Sequence, residues 1–65
     1  MRFYVKVDDE YYTNFFSEDR AKWFCEKFVS DDTVSYLEYG VINYDGWVGL
    51  SSIAVLKSGK KEAGD

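Results

Sequence analysis

The chain has no histidine, no proline and only one cysteine among its 65 residues. Histidine is the side chain that most often moves protons near neutral pH. Without it, a Ser or Cys nucleophile lacks its usual activating base. One cysteine and no histidine also leave no ligand set for a structural zinc. The lone Cys25 can form no internal disulfide; it suits a reducing compartment and reads as a small buried hydrophobe. Long apolar runs are missing too, since no stretch approaches the ~18 residues needed to span a membrane. Met1 is followed by an alternating segment with Arg2, Lys6 and Asp8, not by an apolar leader. The expectation is a cytoplasmic protein without a secretory signal.

Other site chemistries fail on spacing. Asp8-Asp9-Glu10 and Asp31-Asp32 lack the alternate oxygen ligands and turn glycine of a calcium loop, so they read as solvated acids in turns. Gly46 and Gly49 are isolated and precede no Lys-Ser or Lys-Thr, which excludes a phosphate-cradling loop. Paired carboxylates could in principle cleave a sugar bond, but so short a chain can hardly wrap a sugar. No catalytic residue, metal or cofactor is expected.

Aromatic residues are what the chain has in excess: six Tyr, five Phe and two Trp. A domain of this size buries only ~60% of the surface its unfolded chain exposes, and its core rarely yields more than ~3–5 kcal/mol without a disulfide or metal. Rings that bury ~150–250 Å² each are an effective substitute. Self-association would be another.

Charge is unevenly placed. The net charge is −4, yet residues 8–45 hold ten acids against Arg20, Lys22 and Lys27, a local balance of −7. Binding to nucleic acid requires cations to neutralise phosphates, so this balance disfavours it. A basic partner surface is favoured instead.

The periodicity predicts an α+β domain of order β-β-α-β-β spanning residues 1–57, with one helix packed on an antiparallel sheet and a flexible tail at 58–65. Arg2–Asp8 alternates with Phe3, Val5 and Val7 on one face. Asp8-Asp9-Glu10 suits a turn, and Tyr11–Phe16 resumes as a strand. Tyr11, Thr13 and Phe15 share one of its faces and Tyr12, Asn14 and Phe16 the other; both are partly aromatic, so the register stays open. Ser17 followed by Glu18 and Asp19 is a helix start. Ala21, Phe24, Cys25, Phe28 and Val29 then form an apolar stripe over about four turns. Thr33–Asn43 and Trp47–Lys57 read as strands joined at Asp45-Gly46, with Gly40 and Gly49 marking bulges or tight bends. The last segment also fits helical spacing through Trp47, Leu50, Ile53, Ala54 and Lys57.

On the predicted helix, Trp23 falls nearly opposite the apolar stripe, among Asp19, Glu26, Lys27 and Ser30. It is either covered by a neighbouring turn or an anchor for a partner, since Trp and Tyr are common interface hot spots. Trp23, Asp19, Glu26, Asp31, Asp32, Tyr36 and Tyr39 are therefore the candidate partner-binding residues. Tyr4, flanked by Arg2 and Lys6, is the best candidate for stacking a nucleic-acid base. In general make-up, though in no motif, the chain resembles the small acidic inhibitors that phages encode against host polymerases, nucleases or defence complexes. The resemblance implies a protein that occupies a basic surface of its target. A self-associating module and a single-strand nucleic-acid binder are the alternatives.

Overall fold

The computed structural model describes residues 1–43 and 49–59. They form an α+β domain with strands β1 (Arg2–Val7) and β2 (Glu10–Phe15), helix α1 (Glu18–Glu26), then strands β3 (Tyr36–Ile42) and β4 (Leu50–Ser58). One antiparallel sheet holds them in the order β2-β1-β3-β4. The helix lies across one face, mainly on the two central strands.

The core follows the alternation of β1. Phe3 and Val5 are buried with Leu37 and Tyr39 of β3 and with Ala21 and Cys25 of α1, and Val7 packs at the margin. Ser17 caps the helix as its sequence predicts, its Oγ accepting from the Arg20 N–H at 3.2 Å. The helix is shorter than its apolar stripe. From Lys27 the backbone N–H groups bond three residues back, to Phe24, Cys25 and Glu26 in turn, a tightening common at helix ends. This carries Phe28 against the core but leaves Val29 exposed.

β2 escapes simple alternation. The register passes from Phe3 opposite Phe15 to Val5 opposite Tyr12, so the strand holds a bulge. The extra residue flips the side-chain phase. Tyr12 and Phe15, assigned to opposite faces by strict alternation, both meet Phe24, with ring centroids 5.2 and 5.1 Å apart.

β3 is shorter than the expected Thr33–Asn43, because residues 33–35 are spent on a turn. Asp31 Oδ1 accepts from the Thr33 backbone N–H and hydroxyl, and Lys57 Nζ donates to the carbonyls of Asp31 and Val34 at 2.6 and 3.0 Å. Over Leu50–Ser58 the last segment is a strand rather than a helix, and it carries two register shifts. It reaches Ser58, which pairs with Tyr36, so that residue of the expected tail belongs to the sheet; residues 60–65 lie outside the described residues. The predicted Asp45-Gly46 turn and Trp47 lie outside the described residues. The flanking Asn43 N–H does donate to the Gly49 carbonyl at 3.1 Å.

Candidate functional site

Two exposed aromatic side chains define the site. Phe16 follows β2 and is 74% exposed; Trp23 lies on α1 and is 62% exposed. Both line one open cleft of about 450 Å³, together with Asn14, Phe15, Ser17 and Arg20. The local sequence explains the arrangement. Ser17 turns the chain from strand to helix and fixes the first turn by its cap. Arg20 and Trp23, three apart, then share a helix face beside the strand end. The stripe Ala21/Cys25 occupies the other side of α1 and is fully buried, which turns Trp23 outward. Lys27 Nζ stands 4.7 Å from the centre of the Trp23 ring, a cation–π contact one turn along.

Of the predicted partner-binding residues, Asp19, Trp23 and Glu26 are exposed on α1, where their spacing makes them neighbours. Asp31 and Asp32 lie at the opposite pole of the domain. There the Asp8 side chain accepts backbone N–H groups from Ser35 and Tyr36 at 2.8 and 2.9 Å, drawing the turn at Asp8–Glu10 against the α1–β3 turn. Five carboxylates thus gather at one end of the sheet. Asp31 is engaged in its own turn, and the hydrogen bonds from Thr33 hold its carboxyl below the usual range. Tyr36 is half-buried on the helix-free face, its hydroxyl donated to Glu38.

Tyr39 requires correction. It sits on the helix side of β3, 5% exposed, as part of the core. It is not a surface contact, because pairing β3 beside β1 puts Tyr39 opposite Val5 on the buried face. Phe16, by contrast, escapes a reading by alternation. Its signal is positional: the last ring before a helix cap has no strand partner to cover it.

On the helix-free face polar groups link β1 and β3. Tyr4 and Tyr36 both donate their hydroxyls to Glu38, and Lys6 Nζ lies 5.4 and 5.2 Å from the ring centres of Tyr11 and Tyr36. Burial, with Glu38 adding to it, raises the Tyr4 phenol above its ordinary value. The hydrogen bond to Glu38, then burial, pushes Tyr36 up to about 12. Tyr4 is only 2% exposed, so no base can stack on its ring.

Cys25 is buried in the core, and burial, with smaller contributions from Glu26 and Glu38, pushes its thiol up to about 11. It is held as an unreactive thiol. Among the described residues no group of three His, Cys, Asp or Glu could hold a metal, and no helix is long and apolar enough to cross a membrane. No protein family, curated protein or solved structure matches the chain.

Proposed function

We propose that this protein acts by binding another protein and occupying its surface, with Trp23 and Phe16 as anchors. The observation that carries this reading is the exposure of two large rings on the walls of one cleft. Each has roughly 2–4 kcal/mol of apolar burial still to gain. Trp is also the residue type most enriched among interface hot spots. The acidic pole of Asp8, Asp9, Glu10, Asp31 and Asp32 supports a partner with a basic surface, approached by electrostatic steering. The nucleic-acid channel of an enzyme or defence complex in the cytoplasm has that chemistry. Inhibition would be steric, of the kind a small phage-encoded protein exerts on host machinery, and would need no catalytic group.

Capture from a bacterial lysate by the wild-type protein and by Trp23→Ala tests this reading. A protein retained by the wild type, released by added salt and lost with Trp23→Ala supports it. Retention that survives the substitution contradicts it.

A self-associating module is the second reading, favoured by Ile53 and Val55, both exposed on the edge strand β4. The two register shifts in β4 oppose it, because bulges bend an edge away from strand-to-strand pairing. Sedimentation at micromolar concentration separates the two, since a strict monomer removes the second.

A further inference from the structure

We propose that the Phe16–Trp23 cleft receives a partner segment in which a large apolar side chain stands next to an Asp or Glu. The apolar chain seats between the two rings and the carboxylate pairs with Arg20. This rests on the cleft being a protein-binding site, and it names the partner's chemistry at that point.

Three of the six lining residues are aromatic, Phe15, Phe16 and Trp23, and Asn14 and Ser17 are the uncharged polar ones. Its volume of about 450 Å³ lies in the range that holds a small ligand or a few side chains. Of its six lining residues Arg20 alone is charged, although acids outnumber bases in the chain. Its side chain has no hydrogen bond or ion pair with any described residue, while its backbone N–H serves the Ser17 cap. Glu18 and Asp19, beside it in sequence, are absent from the lining. A second cation, Lys27, lies over the Trp23 ring.

The charge inside the cleft is therefore opposite to that of the molecule. Acids at the far pole meet a basic surface, whereas Arg20 selects a carboxylate within it. A guanidinium presents five donors in a fixed fork that matches a carboxylate, and Arg20 is exposed to receive one. A partner lysine in the same place would meet the like charge of Arg20 and be disfavoured. Specificity would then come from a contact that overall charge disfavours.

Binding of three amidated tetrapeptides, followed through the amide and indole resonances of Arg20 and Trp23, tests this. Gly-Phe-Asp-Gly is expected to bind about three- to fivefold more tightly than Gly-Phe-Asn-Gly, the advantage of one exposed ion pair. Gly-Ala-Asp-Gly should leave the Trp23 indole unshifted. Arg20→Gln should bind the first two peptides equally, which a purely structural role for Arg20 would not produce. Equal binding of the Asp and Asn peptides by the wild type overturns the proposal, whatever lysate capture shows. So does tighter binding of a peptide ending in Phe with a free carboxylate, which would make the occupant a chain terminus. Concentration-dependent shifts of the same resonances without peptide would put a second copy in the cleft and overturn it as well.

Discussion

The ring of Tyr4 lies directly over Gly40 on the helix-free face of the sheet. A Cβ at Gly40 would stand 2.7 Å from Tyr4 Cε1 and 2.2 Å from the Ser51 carbonyl oxygen. The glycine is needed because an aromatic ring and a neighbouring backbone both approach it closely. Gly40→Ala is expected to destabilise the domain by at least ~1–3 kcal/mol, the usual cost of overpacking. Urea denaturation measures this, and an unchanged midpoint would show that the ring and the strand can move apart freely.

The hydroxyl of the same tyrosine is bonded to Glu38. Tyr4→Phe keeps the ring over Gly40 and removes a hydrogen bond to a charged group, at a cost of about 1.5–3 kcal/mol. A loss near zero would show that water replaces the bond.

Glu38 also governs the response to alkali. Tyr36 titrates near 10 when unfolded and is pushed up to about 12 in the fold. The folded state therefore holds its proton where the unfolded state has lost it. The resulting stabilisation is fully present below the unfolded value and is lost as pH rises through the folded one. Stability should fall from about pH 10 upward, and phenolate absorbance should show Tyr36 titrating late. Glu38→Gln should return that titration toward the ordinary tyrosine value; an unshifted curve would remove Glu38 as the cause.

Asp8 joins the first hairpin to β3. It adopts a left-handed backbone, φ 55°, which aspartate tolerates better than most residues. Its carboxylate accepts the N–H groups of Ser35 and Tyr36. Asp8→Ala loses the one oxygen that accepts both bonds and meets the unfavourable φ, so a loss of about 2 kcal/mol is expected. Asp8→Gly relieves the backbone and should cost less. Faster amide exchange at Ser35 and Tyr36 in both variants would locate the effect; equal stabilities would exclude the backbone contribution.

These long-range links mark the limit of what was legible beforehand. The alternation of Phe3, Val5 and Val7 and the Ser17 cap are local signals, and both elements formed where they pointed. Trp23 turned outward because helical phase alone fixes its direction once Ala21 and Cys25 are buried. Tyr39 could not be placed, because period two identifies a face without saying which face the helix covers. The bulge in β2 carries no mark in its composition, yet it decides that Tyr12 and Phe15 meet the same ring. The Asp8 clamp joins positions 27 and 28 residues apart, and no local pattern reports such a pairing.

The most direct test is a paired measurement on Trp23→Ala and the wild type, combining a urea midpoint with calorimetric affinity for the captured partner. Trp23 is exposed, so its removal should change stability by no more than about 0.5 kcal/mol. As a binding anchor its loss should cost at least about 2 kcal/mol, roughly thirtyfold in affinity. A fallen midpoint, or an affinity within twofold of wild type, would contradict the assignment of Trp23 to partner binding.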